Sequence, residues 1–380
     1  MNRSSNSGFK IVHLSTVHAP DDNRIYRKEL LSLKNAGFNV ALIARKSQNI
    51  EINQITHIML PAIRNRFLRM TLLPFNAFLK VIKGKFQIIH FHDPELLPIA
   101  GILRLMGKKI IYDVHENYPE QIMTKKYLPS FLKKPLSKTI SLLENLLAKR
   151  FSLIVVVVED LKKRFLKYNS NTIIIANYPK LEDFSSYLNN LSQKKSEPPQ
   201  NIIYMGGITS IRGVREIIKA SNWTKLPIVL LGPIQEKALV PLLTENIKST
   251  SNFTYLGKIP FDKLHDYLKN SLAGLVLLHP TPNYLHSLPV KLFEYMAAGL
   301  PVIASDFPLW RQIIQENECG ICVNPLDPKA IADAINYYVD NPEIAGQHGA
   351  NGQKLVLEKY NWEKEAEKLV DAYNRLLEKA

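Results

Sequence analysis

Residues 283–305 read NYLHSLPVKLFEYMAAGLPVIAS and gather side chains able to grip an anionic, hydroxyl-rich ligand. Ser287 is a favoured helix N-cap and Pro289 suits a first turn, so the spacing predicts a helix opening here. A helix N-terminus presents unpaired N–H groups and a partial positive charge, both suited to a phosphate. Lys291 lies close to that first turn and adds a full charge. Glu294, a turn further on, can bind paired sugar hydroxyls, and Gly299-Leu300-Pro301 then stops the helix and starts a strand. Any one of these residues alone is equally well a solvated helix residue. The combination points to a ligand.

A second loop with chemical potential is His18-Ala19-Pro20-Asp21-Asp22-Asn23-Arg24, between a predicted strand and a predicted helix. It holds no Gly-x-Gly-x-x-Gly, so it is not a dinucleotide fingerprint. Its side chains suit an acceptor: Asp21 or Asp22 could take a proton from an acceptor hydroxyl, and Arg24 could hold a lipid-linked phosphate. The competing reading has Asp22 capping the helix and Arg24 solvated. His18 and His92 are assigned to the acceptor side with Arg24. His90 and His92 flank Phe91 on one strand and face away from it, and one of them also reads as a buried, hydrogen-bonded imidazole. His115 stands just past a strand end. The ten histidines show no H-E-x-x-H spacing, so no metal is expected. Cys319 and Cys322 lack a second ligand pair and read as structural. Glu120, Glu144 and Glu159 read as surface or helix-start acids.

The elements that must position these loops follow an alternating pattern. Short apolar runs at 10–15, 39–43, 87–91, 108–113, 153–158 and 172–176 alternate with amphipathic stretches at 24–36, 95–106, 137–149 and 160–168. Apolar strands joined by helical crossovers mean a parallel sheet covered on both faces. Residues 180–200 are polar, carry Pro198-Pro199 and read as a connection. A second series has strands at 201–205, 228–231, 253–255, 274–278, 301–304 and 320–323. Its helices are expected at 214–220, 262–270, 292–298, 308–314 and 329–339, and 362–377 is strongly amphipathic. The expected fold class is α/β, two Rossmann-like doubly wound domains facing each other across a cleft. The boundaries read as 1–178 and 201–360, a linker at 179–200, and a helix at 361–380 packing back towards the first domain. Ligands of such sheets bind outside the carboxyl ends of strands.

At 380 residues, with 46% apolar and 22% charged side chains, the chain suits two ordinary globular cores. Its longest strongly apolar run, 153–158, is far short of the roughly 20 residues that span a bilayer. The polar start MNRSSNSGFK does not read as a signal peptide, and a cytoplasmic location is expected. The net charge of +15 is concentrated. Residues 61–86 carry Arg64, Arg66, Arg69, Lys80, Lys83 and Lys85 without an acid, and 123–167 carry eleven basic residues against Glu144, Glu159 and Asp160. Large apolar residues are interleaved: Phe67, Leu68, Met70, Leu72, Leu73 and Phe75, then Tyr127, Leu128, Phe131, Leu132 and Leu136. A basic amphipathic surface suits the anionic inner face of a membrane, and equally a solvated helix face. No nucleic-acid module accompanies the charge, so nucleic acid is not an expected partner.

Pro289-x-Lys291-x-x-Glu294-Tyr295-Met296-Ala297-Ala298-Gly299-x-Pro301-Val302-Ile303-Ala304 resembles the donor-binding signature of glycosyltransferase family 4, which has the GT-B fold. The resemblance extends over nearly the whole chain. Tyr204-Met205-Gly206-Gly207 with Arg212-Gly213 resembles the family's glycine turn and basic residue. Asn324-Pro325-Leu326-Asp327-Pro328 resembles a later loop, and Asn177-Tyr178-Pro179 its interdomain turn. His90-Phe91-His92-Asp93 and Tyr112-Asp113-Val114-His115-Glu116 occupy strand ends where the family places substrate contacts. The resemblance implies a retaining transfer from a nucleoside-diphosphate sugar, UDP- before GDP-, to a lipid-linked or surface-polysaccharide acceptor. By it, Glu294 binds the ribose, Lys291 and Arg212 with the helix N-terminus neutralise the diphosphate, and His115 contacts the donor sugar near the reacting carbon. Such catalysis is electrostatic. No Asp-x-Asp occurs, so neither metal nor other cofactor is expected. Two positions depart from the family pattern: His286 stands where an acid is common, and Gly207 where an Arg is. A sugar-nucleotide 2-epimerase and a non-catalytic membrane-associated relative share the architecture and are the alternatives.

Overall fold

Thirteen parallel strands, seven in one sheet and six in another, carry the described chain. The structure is a computed structural model that describes residues 8–46, 54–63, 65–124, 128–188, 198–245 and 252–378. Arg64 and Tyr127 lie outside the described residues, as do the side chains of Arg66 and Phe67. Two compact units result: an N-terminal unit of Met1–Asn177 with Trp362–Ala380, and a C-terminal unit of Tyr178–Asn361.

The N-terminal sheet comprises β1 (Lys10–Leu14), β2 (Asn39–Arg45), β3 (Thr56–Leu60), β4 (Ile88–Phe91), β5 (Lys109–Val114), β6 (Leu153–Val156) and β7 (Thr172–Ile174), in the order β3-β2-β1-β4-β5-β6-β7. The strand order reverses direction between β1 and β4, and their register sets His13 beside His90. Side chains alternate across a strand. One face therefore presents Ile11, Ile88 and Ile111 first, then His13, His90 and Asp113 towards the carboxyl ends, with His92 and His115 just beyond. The helical segments Asn23–Leu30, Leu31–Asn35 and Trp362–Glu378 cover this face. The opposite face, with Val12, Ile89, Phe91 and Tyr112, packs under helices Arg66–Lys83, Leu97–Leu105 and Ser130–Ala148.

The C-terminal sheet comprises β8 (Asn201–Met205), β9 (Ile228–Leu231), β10 (Phe253–Gly257), β11 (Ser271–Val276), β12 (Val302–Ser305) and β13 (Gly320–Val323), in the order β10-β9-β8-β11-β12-β13. Its reversal falls between β8 and β11, and the crevice at such a point is where doubly wound sheets hold ligands.

Several elements differ from expectation. β3 and helices Arg66–Lys83, Tyr118–Thr124 and Pro342–Glu358 are additional. The first crossover helix opens with wide π-type turns, Arg27 N–H reaching Asp22 C=O at 3.4 Å. Glu144 is buried and accepts hydrogen bonds from Tyr112 (2.7 Å) and Arg164 (2.5 Å), so it is no surface acid. The helix expected to open at Ser287 instead runs Val290–Ala297 with Pro289 at its N-cap and no side-chain cap. Ser287 follows a short turn of helix, Pro282–Leu285, and its hydroxyl donates back to Tyr284 C=O at 3.2 Å. The apolar fit of Trp310, whose indole N–H donates to Ser287 C=O at 2.7 Å, holds it there. Cys319 and Cys322 are free thiols, each pushed up to about 12 by burial.

Candidate functional site

In the C-terminal unit, the loops after β8 and β11 bring two cations against one glycine turn. Gly206 sits at φ 133°, a conformation that suits only glycine. A Cβ on Gly206 would lie 3.8 Å from Arg212 Nη1 and 3.9 Å from Lys291 Nζ, so both charges border this backbone. At Gly207 a Cβ would lie 2.8 Å from Arg212 Nη1 and collide with Gln235. An Arg at 207 would therefore require the ends of the Gln235 and Arg212 side chains to move, because Arg212 already occupies that side of the turn. Gly213 at φ 72° lets the loop pass close to Leu277 as it enters the next helix.

Lys291 lies in the first turn of the helix Val290–Ala297, as its spacing predicts. Its ammonium is buried, has no hydrogen-bond partner among the described residues, and rests 4.0 Å over the Tyr204 ring centroid. Burial, reinforced by Arg212 and opposed by Glu294, pushes the Lys291 amine well below the usual lysine range. A buried donor without an acceptor costs free energy unless a ligand completes it. Glu294 stands half-buried one turn along the same helix, and His286 is exposed at the end of the preceding short helix. Tyr204, whose hydroxyl donates to Gly207 C=O at 3.0 Å, and Gln235 belong to this site but carry no signal in a single sequence.

In the N-terminal unit, the polar strand ends form a buried network. Arg24 is 4% exposed and pairs with both oxygens of Asp113, Nε to Oδ2 and Nη2 to Oδ1, each at 3.0 Å. It also donates to Ile175 C=O at 3.0 Å and has Glu29 Oε1 within 3.0 Å of Nε. Burial alone would raise the Asp113 carboxyl, but Arg24 and then His115 outweigh it and hold the group well below the usual carboxylate range. Burial and the neighbouring Asp113 charge push Glu29 well above that range, against Arg24. His115 Nε2 lies 2.9 Å from Asp113 Oδ2, and His92 Nδ1 3.2 Å from each of them. Burial lowers the His92 imidazole, Asp113 opposing. Asp93 Oδ2 accepts from Ser15 Oγ (2.8 Å) and Thr16 N–H (2.6 Å), fixing the loop after β1.

Three assignments change here, the first being His92, which is 3% exposed and bonded through both ring nitrogens and so is not open to an acceptor. Arg24 is neither solvated nor open to an acceptor phosphate, since its guanidinium is bound within the network. Asp22 caps its helix, accepting from the N–H groups of Arg24 (2.9 Å) and Ile25 (3.0 Å), and bonds His18 Nδ1 at 3.0 Å. Burial alone would raise its carboxyl, but His18 and the Ile25 N–H hold it far below the usual range. So strongly stabilised an anion is a poor proton acceptor. Asp21 is exposed and stands outside the network. Burial alone would lower His18, but Asp22 and Asp93 raise it, and its ring lies 5.3 Å from that of His115.

Two Rossmann-like sheets in one chain, each with chemistry at its reversal point, define a protein of the GT-B class. Two family models match it: Glycosyl transferases group 1 over residues 188–355 and Glycosyltransferase Family 4 over residues 27–177. The chain belongs to glycosyltransferase family 4 and is a glycosyltransferase. It is 24% identical to the Staphylococcus aureus capsular polysaccharide biosynthesis glycosyltransferase CapM over 98% of each chain. It is 23% identical to the Escherichia coli O-antigen chain mannosyltransferase C, over 79% of this chain and 78% of that one. The crystal structure of Anabaena HepE in complex with UDP superposes with a TM-score of 0.73 at 15% identity, over 97% of this chain and 100% of that one.

Proposed function

We propose that this chain transfers a sugar from a nucleoside-diphosphate sugar, UDP- before GDP-, to a lipid-linked or surface-polysaccharide acceptor with retention at the anomeric carbon. The observation that carries this reading is the convergence of Arg212 and Lys291, the latter in the first turn of an uncapped helix, on the Gly206-Gly207 turn. Two fixed cations and a helix dipole suit a departing diphosphate, whose charge grows as the glycosidic bond breaks. Protein cations then take the place of a bridging metal ion. Glu294 binds the ribose hydroxyls, His286 a hydroxyl of the sugar, and His115 the sugar near its reacting carbon. The UDP bound by the structural relative favours a uridine donor.

Retention is supported by the state of the acids around His115. Asp22, Asp93 and Asp113 are all engaged as cap, loop anchor and ion pair, so none is placed as a general base. In a front-face transfer none is required. The acceptor oxygen bonds to the anomeric carbon as the bond to the diphosphate breaks, and the departing phosphate oxygen takes the acceptor's proton.

For the acceptor, a groove of about 390 Å³ in the N-terminal unit replaces Arg24. It is lined by Pro20, Ala62 and Ile63 with Arg45, Lys46 and Arg69, and both Arg45 Nε and Arg69 Nε are buried without a hydrogen-bond partner among the described residues. Apolar walls and three cations suit a lipid-linked phosphate. No helix among the described residues is long and apolar enough to cross a membrane. Three adjacent helices instead expose Leu72, Phe75 and Leu79, then Ile102 and Leu105, then Phe131, Leu136 and Leu142. Phe131 is 77% exposed and Leu105 75%, beside Lys80, Lys83, Lys133, Lys134 and Lys138. Such an apolar and basic surface favours peripheral attachment to the anionic inner face of the cell membrane.

The test is incubation with UDP- and GDP-sugar panels, with and without a polyprenyl-phosphate-linked acceptor. Acceptor-dependent nucleotide release with an α-linked product from an α-linked donor is expected. Absence of both binding and turnover for every donor would overturn the reading, and an isomerised free donor formed without acceptor would assign the chain to the epimerases.

A further inference from the structure

The reversal point of the N-terminal sheet holds a buried cluster that the transfer reaction does not use. His13 Nδ1 and His92 Nε2 lie 3.1 Å apart, and Glu29 Oε2 lies 3.6 Å from the first and 3.9 Å from the second. With a nitrogen of His90, one donor atom from each of the four residues falls within a 4.8 Å span. A tetrahedral ion with bonds of about 2.0–2.1 Å sets its donors roughly 3.3–3.4 Å apart. The three measured separations bracket that value.

We propose that His13, His92, Glu29 and His90 form a structural site for a divalent transition ion of the zinc type. Three observations support it independently of the spacing. Glu29 Oε2 and His90 Nε2 are buried and accept or donate no hydrogen bond among the described residues, so the fold leaves them aimed inward without partners. A direct N–H···N bond between His13 and His92 satisfies that pair only. Each imidazole is also held through its other nitrogen: His92 Nδ1 by Asp113 at 3.2 Å, His90 Nδ1 and His13 Nε2 by the Tyr373 hydroxyl at 2.8 and 3.2 Å. Such outer contacts orient metal-ligating imidazoles. Glu29 Oε1 is likewise held, 3.0 Å from Arg24 Nε, leaving Oε2 to the site.

Charge is compatible. Arg24, Asp113 and an ionised Glu29 leave one negative charge, against which a divalent ion gives a net of one positive. Three imidazoles and a carboxylate suit zinc, and all four residues are at most 3% exposed, so no open position reaches solvent or substrate. The ion's role is to lock β1, β4 and the helix segment Asn23–Leu30 together behind His115. The second triad nearby, His92 with Asp113 and His115, is the weaker candidate because Arg24 already takes both Asp113 oxygens.

The experiment uses the full chain without a polyhistidine tag, stripped with a chelator and titrated with Zn²⁺ against a chromophoric competitor. One equivalent bound with sub-micromolar affinity is expected, and Co²⁺ should give the intense visible bands of a four-coordinate site. Glu29→Gln should weaken Zn²⁺ by at least roughly 100-fold, more than the loss typical of an outer-shell change. His57→Gln, on the edge strand β3, and His115→Gln should leave the stoichiometry unchanged. Wild-type protein that binds no stoichiometric Zn²⁺, or Glu29→Gln with wild-type affinity, overturns the site. Loss in His115→Gln equal to that in Glu29→Gln overturns the ligand assignment. The wild-type titration and Co²⁺ spectrum decide the matter even where Glu29→Gln fails to fold, and neither depends on transferase activity.

Discussion

Replacing Lys291 with Met separates the work of the donor grip from the work of holding the fold. Among the described residues the ammonium is buried without a hydrogen-bond partner, and it rests over the Tyr204 ring at 4.0 Å. An unsatisfied buried polar group costs about 1–3 kcal/mol. The lost cation–π contact offsets about 0.5–1 kcal/mol of that. Lys291→Met should therefore stabilise the ligand-free protein by about 0–2.5 kcal/mol, the difference between those two ranges. Donor binding should move the other way. A hydrogen bond to a charged group contributes about 1.5–3 kcal/mol, so UDP affinity should fall roughly 10- to 150-fold. Burial lowers the Lys291 amine and a bound diphosphate raises it, so binding takes up a proton at pH values between the free and bound values. Wild-type binding should accordingly take up a proton and weaken as pH rises, and Lys291→Met should lose that dependence. Chemical denaturation and calorimetry in buffers of different ionisation enthalpy read all three effects. A variant that is less stable and binds UDP like wild type would refute the assignment of Lys291 to the diphosphate.

Arg24→Met leaves Asp113 buried without its ion-pair partner and should cost about 3–5 kcal/mol in denaturant unfolding; in protein that remains folded, an acceptor KM that rises alone would restore Arg24 to the acceptor. His18 should titrate above 6.5 by NMR, and Asp22→Asn should bring it back down. The His18 contribution to stability is full below 6.5 and is lost as pH rises through the raised value, whereas that of Asp22 is present above 3.8 and lost as pH falls. Phe75→Ser with Phe131→Ser should sharply reduce flotation with anionic vesicles, and the wild-type flotation should weaken with added salt; flotation untouched by either would remove the membrane reading.

Local pattern made most of the sheets legible. Runs such as 201–205, 228–231 and 320–323 coincide with β8, β9 and β13 because buried parallel strands are apolar throughout. The helix Pro342–Glu358 was not among the expected elements, and it carries Gly346, Gly349 and Gly352. Two of them are packing residues: a Cβ on Gly349 would collide with Gly299 C=O, and one on Gly352 would press Met296 at 3.1 Å. The helix that carries Lys291 was readable because its apolar periodicity and its Gly299-Leu300-Pro301 stop are local in sequence. Arg24 and the acceptor role of His92 were misread for the opposite reason. Arg24 meets Asp113 from 89 residues away, and His13, Glu29, His90 and His92 come together only through the β1–β4 register and the helix above it. A spacing test for metal ligands sees single helices and hairpins, not adjacent strand ends. Ser287 shows a further limit, since N-cap preference favours it but the contact with Trp310 places it before the helix.

On the proposed reading, the glycine turn of the C-terminal unit grips a nucleoside diphosphate. A crystal structure with UDP, followed by the UDP-sugar that turns over, tests it most directly. The diphosphate should lie on Gly206-Gly207 within hydrogen-bond reach of both Arg212 and Lys291, with the ribose hydroxyls on Glu294 and no metal ion bridging the phosphates. A nucleotide bound away from that turn, or a diphosphate held through a metal, would contradict it.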